Sequence, residues 1–131
     1  MNNLIIKATK SSPKIFFNYE DNILEIKGSS YPANISEFYT PVFSWLEKYT
    51  EQLENQKVTV NVELIYFNSS SSKILMEFFD ILDELAGNGK NVSVNWIYED
   101  DDDDSVEFGE EFQEDLETIK FNYVQKKEID D

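Results

Sequence analysis

The chain has 131 residues, with 27 acidic and 11 basic side chains and a formal net charge of −16. This charge repels nucleic-acid phosphates and anionic membranes, so we expect neither as a partner and predict partner proteins with basic surfaces. Cysteine and histidine are both absent, which excludes disulfides, thiolate chemistry and a Ser-His-Asp or Cys-His site. The sequence favours a binding protein over an enzyme and calls for no cofactor and no metal.

The length is that of one ordinary domain, which we predict over residues 1–131. Hydrophobic residues make up 40% of the chain, enough to form a core. No apolar run approaches the roughly twenty residues of a membrane span. Residues 1–7 lack the apolar core of a signal peptide. We therefore expect a cytoplasmic protein.

The first part of the chain predicts three strands, at residues 4–8, 15–19 and 23–27. Asp21 and Asn22 both tolerate positive φ and predict a two-residue hairpin turn. A helix follows, since apolar residues recur at helical spacing. They are Phe38, Val42, Trp45, Leu46, Tyr49 and Leu53. Asn34 or Ser36 is the predicted cap, and Pro41 is taken to lie inside a helix that begins before it.

The next strand, residues 57–67, feeds a helix at about residues 71–86 through Asn68 and four serines. A helix N-terminus presents free backbone N–H groups and the positive end of the helix dipole, so it accommodates an anion. A phosphate on Ser69 would fit there. The simpler interpretation is that a serine caps the helix, which needs one hydroxyl and not four.

The outer side of this helix is mostly acidic, and Glu77, Asp80 and Asp83 are candidate partner-binding residues. A strand at residues 92–98 precedes the acidic run 99–104, which is either a solvated loop or a Ca²⁺ or Mg²⁺ ligand. A last helix at 106–117 and a strand at 121–125 follow, and we expect the final charged residues to fray. The pattern predicts an α/β domain with a mixed sheet of about five strands and three main helices.

Three blocks make the chain similar to a known family. They are residues 28–32 with 38–42 and Trp45-Leu46, residues 66–71 with Lys73, and residues 94–98 with the acidic residues after them. The order strand, polar corner, hydroxyl and helix resembles the STAS-like plan of anti-sigma factor antagonists. Within that plan the chain resembles the SiaC family of biofilm-regulating phosphoproteins over nearly its whole length.

The resemblance implies a phosphorylation switch. A serine kinase with a histidine-kinase-like ATPase fold would phosphorylate the hydroxyl after Asn68, and a PP2C-like phosphatase would remove the phosphate. The unphosphorylated form would bind an output protein, expected to be a diguanylate cyclase that makes cyclic di-GMP. The alternative is an anti-sigma factor as the output, with control of transcription by partner switching.

This sequence has Ser69 where the family pattern has threonine, and further serines follow. Ser69 is therefore the predicted phosphorylation site, with Ser70 and Ser71 as alternatives. Asn68 and Lys73 are the predicted surroundings of the phosphate. Tyr31 and Pro32 are either part of a recognition surface near the switch or part of the core.

Overall fold

A computed structural model describes residues 1–126 of the chain, and the predicted fraying of the final charged residues falls outside them. The strands are β1 (Leu4–Ile6), β2 (Lys14–Asn18), β3 (Ile23–Ser30), β4 (Val58–Phe67), β5 (Val92–Glu99) and β6 (Lys120–Lys126). The helices are α1 (Ile35–Gln52), α2 (Ser69–Gly87) and α3 (Asp103–Glu114). The predicted α/β class with three helices is confirmed, and the sheet has six strands where about five were expected.

The sheet follows chain order, β1-β2-β3-β4-β5-β6. The first three strands pair antiparallel, and β3 to β6 run parallel. Each helix therefore connects a strand to its parallel neighbour on the same side, and right-handed crossovers place α1, α2 and α3 on one face. The burial of alternate residues in β2, β3 and β4 agrees with one covered face and one open face.

The core lies between the covered face of the sheet and the three helices. Val58, Val60, Val62 and Leu64 of β4 are buried there, as their alternation predicts. Trp45 and Trp96 are buried as well. Deeply buried aromatic rings form the centre. They are Phe17, Tyr49, Phe78, Phe79 and Trp96.

Several element boundaries differ from the sequence prediction. α2 begins at Ser69 and not near residue 71, and α3 runs from Asp103 to Glu114, three residues earlier than predicted. The turn between β2 and β3 spans residues 19–22, in which Asn22 has the expected positive φ of 56°. The Asn18 side chain accepts hydrogen bonds from the N–H groups of Glu20 and Asp21, which lengthens the turn from two residues to four.

A bulge interrupts β4 near its end. Gly28 pairs with Leu64 and Ser29 pairs with Tyr66, so Ile65 is an extra residue on β4. One inserted residue exchanges the two faces of a strand. Tyr66 consequently points out and Phe67 turns toward the helices, where its ring meets Phe108 at 5.1 Å. Gly28 supports the distortion with a φ of 129°, which side chains rarely adopt.

Candidate functional site

The corner between β4 and α2, residues 68–72, is built around Asn68. The Asn68 side chain accepts a hydrogen bond of 3.0 Å from the Ser71 N–H, and its backbone carbonyl accepts one of 2.9 Å from the Ser72 N–H. Asn68 is therefore the N-cap of α2, and the interpretation of a serine as the cap is wrong. Ser69 and Ser70 occupy the first two helical positions, where neither hydroxyl is needed to start the helix.

The serines of the corner differ in accessibility. Ser69 and Ser70 are exposed, whereas Ser71 is completely buried. The Ser71 hydroxyl lies 2.8 Å from that of Ser30, which lies 2.6 Å from the Tyr39 hydroxyl. An enzyme acting on the folded protein reaches Ser69 or Ser70, but not Ser71. The structure thus gives no support to Ser71 as an alternative site, because its hydroxyl is inside the core.

The buried hydroxyls of Ser71, Ser30 and Tyr39 tie α2 to β3 and α1. Burial raises the pKa of Tyr39, and its hydrogen bond with Ser30 only partly offsets that effect. The Tyr39 phenol therefore stays neutral over the physiological range and remains able to donate. The Asn68 N–H also donates to the Ser30 carbonyl oxygen at 3.2 Å. These hydrogen bonds hold the buried side of the corner against the core, while Ser69 and Ser70 remain exposed to solvent.

A cleft of about 440 Å³ opens beside the corner, between α2 and α3. Its apolar lining comes from Phe67, Met76, Phe108 and Phe112, and its polar lining from Asn68, Ser69, Ser72, Lys73, Glu111 and Asp115. Lys73 follows Ser69 by one helical turn and lines the same cleft, and its place beside a phosphate stays a prediction. An apolar floor with a polar rim is typical of a site that receives a partner's side chain.

The predicted partner-binding carboxylates on α2 fall into two kinds. Glu77 and Asp80 are exposed. Partial burial and the nearby charges of Asp115, Asp83 and Glu77 raise the pKa of Asp80. Asp83, in contrast, is engaged within the chain, because its carboxylate accepts hydrogen bonds from three successive backbone N–H groups. They belong to Glu117, Thr118 and Ile119, at 3.0, 2.8 and 2.9 Å.

The prediction of Asp83 as a free partner-binding residue is therefore corrected, because its carboxylate has a structural role. Partial burial alone would raise the pKa of the Asp83 carboxyl, but the three backbone donors outweigh it and hold the pKa below its usual value. The carboxylate holds the connection between α3 and β6 against the middle of α2. Local sequence patterns contain no sign of this contact, because the residues that meet are more than thirty positions apart.

Tyr31 and Pro32 are half-buried at the end of β3. The Tyr31 ring packs edge-on against Tyr66 at 5.6 Å, which places it beside the end of β4 and near the corner. Sequence reasoning missed three exposed apolar residues, two near the end of β4 and one on α3, that line one cavity. Ile65 and Tyr66 are 76% and 56% exposed, and Phe108 on α3 is 44% exposed. The signal was the run of four apolar residues, 64–67, which breaks the alternation of β4.

The acidic run 99–104 is partly helical, since α3 begins at Asp103. Asp102 is the cap of that helix and accepts a hydrogen bond from the Ser105 N–H, while Asp100 accepts one from Gln125. Among residues 1–126, no group of three or more potential ligands is arranged to hold a metal ion. Within the same residues, no helix combines the length and apolar character that crossing a bilayer requires.

Comparison with known proteins places this geometry in a family. The model of the SiaC family regulatory phosphoprotein matches residues 6–126. An uncharacterised protein of Pseudomonas aeruginosa is 33% identical over 115 residues, which cover 88% of this chain and 90% of that protein. The crystal structure of apo-SiaC from Pseudomonas aeruginosa superposes with a TM-score of 0.85 at 31% identity, covering 95% of this chain and 99% of that one.

A second similar structure is a complex. It is the crystal structure of the diguanylate cyclase SiaD with its activator SiaC from Pseudomonas aeruginosa, matched with a TM-score of 0.88 at 31% identity over 94% of this chain and 99% of that one. The family match covers nearly all of the described residues, including the capped corner with its exposed serines. The chain therefore belongs to the SiaC family of regulatory phosphoproteins.

Proposed function

We propose that this protein is a phosphorylation switch in which Ser69 carries the phosphate and the unphosphorylated form binds and regulates a diguanylate cyclase. The observation that carries the proposal is the corner itself. Ser69 is exposed at the first position of α2, behind a cap that does not use its hydroxyl. A kinase can therefore phosphorylate this hydroxyl without removing a hydrogen bond that starts the helix.

The local electrostatics support a stable phosphorylated form. α2 carries no acidic residue in its first turn, and Lys73 lies one turn further on. Free N–H groups and the helix dipole favour an anion at this position by about 0.3–1 kcal/mol when it is exposed. The phosphate adds roughly −1.5 to −2 charges at neutral pH. The fold should tolerate this charge, so the switch works by altering the surface and not by unfolding.

The partner surface that we propose consists of the α2–α3 cleft and the acidic side of α2. Ser69 lines the mouth of the cleft, so a phosphate there changes the charge of the surface on which the partner rests. A partner matched to the neutral corner would have to bury an unpaired dianion, which is costly. Glu77 and Asp80 remain as candidate contacts for basic side chains, and Asp83 is removed from that set.

The diguanylate cyclase is preferred as the output because the matched complex pairs a SiaC chain with such an enzyme. The kinase in the proposal has a histidine-kinase-like ATPase fold and supplies its own base, since Ser69 has no histidine to activate it. A PP2C-like phosphatase returns the protein to its binding form. The second candidate output is an anti-sigma factor, and the protein that co-purifies with the unphosphorylated form distinguishes the two.

The site is tested by intact mass after co-expression with a histidine-kinase-like ATPase of the kind proposed. The wild-type chain should gain one phosphoryl group, and Ser69→Ala should gain none. Ser70→Ala is the matched control, because Ser70 is also exposed and occupies the next helical position, and it should be phosphorylated like the wild type. Incorporation that persists in Ser69→Ala and disappears in Ser70→Ala would move the site to Ser70.

A further inference from the structure

The sheet divides at its carboxyl end between β4 and β5. The two strands pair from Val58 with Val92 to Val62 with Trp96, and no further. Beyond that point β4 continues to pair with β3 as far as Phe67, and β5 pairs with β6 as far as Glu99. Residues 63–67 of β4 therefore lie beside β3 on one side and have no paired strand on the other, and this unpaired side is called the open edge of β4.

Unpaired strand edges attract extended chains, and proteins usually shorten, charge or cover them. The outer edge strand β1 has three residues. The open edge of β4 has five, and four of them, residues 64–67, have apolar or aromatic side chains. Ile65 and Tyr66, at 76% and 56% exposed, are among the most exposed large hydrophobic residues of the described chain.

The division holds two cavities of about 220 and 410 Å³, one toward α3 and one toward the open face of the sheet. Carboxylates line both of them. They are Glu63, Glu99, Asp101, Asp102 and Asp104. Glu63 is paired with Lys126 and Asp102 caps α3, while Asp101 and Asp104 are exposed. The walls of the division therefore combine apolar side chains with an excess of negative charge.

We infer that residues 63–67 of β4 are a strand-addition site for an extended protein segment in which apolar residues alternate with lysine or arginine. The open backbone edge would pair with the segment, Ile65 and Tyr66 would contact its apolar side chains, and the carboxylates would meet its basic ones. The site adjoins the serine corner but does not depend on it. It stands whether or not Ser69 is phosphorylated.

The probe is a seven-residue capped peptide of alternating lysine and valine, titrated into the isotope-labelled full-length chain and followed by NMR. Saturable shifts centred on the amides of residues 63–67, with slowed hydrogen exchange there, are expected. A lysine–proline peptide has the same charge, but its prolines lack N–H groups and hold φ at about −65°, so it favours the polyproline II conformation over a strand. A glutamate–valine peptide has the opposite charge. Neither should bind at this edge.

Two matched variants test the location. Ile65→Lys should weaken binding of the lysine–valine peptide by about tenfold, because it adds a positive charge and removes apolar contact at the edge. Ile5→Lys changes a residue that is 65% exposed on the distant strand β1 and should leave binding unchanged. The inference is overturned if the peptide produces no saturable shifts, if its shifts centre on β1 or β6, if the lysine–proline peptide binds equally well, or if Ile65→Lys has no effect.

Discussion

The N-termini of α2 and α3 lie at the same edge of the sheet, after parallel strands, and have the same geometry, but the start of α2 is neutral and the start of α3 is negatively charged. Asn68 caps α2 and Asp102 caps α3, each accepting from the N–H three residues on. The third helical residue is a buried serine in both, Ser71 and Ser105. The first two positions differ, since α2 has two exposed serines and α3 has two exposed aspartates.

The difference shows that the unphosphorylated serine corner lacks negative charge at the start of its helix. α3 permanently carries the negative charges that a helix dipole favours. α2 leaves those positions neutral, and in our proposal a kinase adds the charge there and a phosphatase removes it. In each helix the serine at the third position is buried, and the two exposed positions before it are free to vary. In this proposal the switch is a helix start whose stabilising anion has been made removable.

The largest expected effect comes from placing a charge on the buried serine. Ser71→Asp puts a carboxylate among Ser30 and Tyr39 without a cation, and should destabilise the fold by about 3 kcal/mol in urea denaturation. Ser70→Asp adds the same charge one residue earlier, in solvent, and should change stability by less than about 1 kcal/mol. Equal effects of the two variants would contradict the separation of buried from exposed serines.

A second comparison on α2 separates Asp83 from Asp80. Because the folded-state pKa of Asp83 is lowered, its contribution to stability is present above its unfolded pKa and is lost as pH falls through the folded value. Asp83→Asn should cost about 1 kcal/mol at neutral pH, and the difference from wild type should narrow in acid. The pKa of Asp80 is raised, so Asp80→Asn should leave neutral-pH stability unchanged or increased.

Denaturation across a pH series measures both effects of these α2 variants. A cost for Asp83→Asn that stays constant through the acid range would show that its carboxylate charge does not hold residues 117–119. A loss of stability in Asp80→Asn at neutral pH would show that Asp80 has a favourable contact beyond those in the structure.

The two caps should contribute about equally to the stability of the fold. Asn68→Ala and Asp102→Ala each remove one side-chain acceptor from the start of a helix, and each should cost about 1 kcal/mol. The Asp102 variant should also show a salt dependence, because an ionised cap interacts with the helix dipole and the neutral cap does so only weakly. Urea denaturation at low and high salt measures both. A salt dependence of equal size for Asn68→Ala would contradict the comparison.

The smallest expected effect comes from adding a negative charge at the start of α2 and removing one at the start of α3. Ser69→Asp should stabilise the fold by at most about 0.5 kcal/mol, and Asp103→Asn should destabilise it by a similar amount. The chain's net charge of −16 reduces the first effect by general repulsion. Thermal denaturation of both variants is the measurement. A loss above about 1 kcal/mol in Ser69→Asp would show that the corner does not tolerate an anion.

Local patterns predicted much of the fold. The alternation in β4 identified its buried face, and the helical spacing from Phe38 to Tyr49 identified α1 with Pro41 inside it. The strand–corner–helix order singled out Asn68 and Ser69, which lie at the start of α2, and the phosphorylation of Ser69 stays a prediction. The start of α3 was missed because an unbroken acidic run was taken for a solvated loop. In the structure Asp102 caps α3, and Asp103 and Asp104 lie in its first turn. Negative charges at these positions interact favourably with the helix dipole.

The remaining features depend on contacts that local patterns do not contain. The engagement of Asp83 with residues 117–119 and the burial of Ser71 against Ser30 both join distant segments. The bulge at Ile65 depends on the register between β3 and β4. Each of these changes the interpretation of a site residue. Asp83 becomes structural, Ser71 becomes inaccessible, and Ile65 with Tyr66 becomes a surface.

The most direct test is the affinity of the output partner for the verified phospho-Ser69 protein and for the unphosphorylated protein, measured side by side by calorimetry. Both samples should have the same far-UV circular dichroism and cooperative unfolding. The unphosphorylated protein and Ser69→Ala should bind the diguanylate cyclase, and the phosphorylated protein should bind it far more weakly. Full affinity in the phosphorylated protein would contradict the account, as would a loss of affinity accompanied by unfolding.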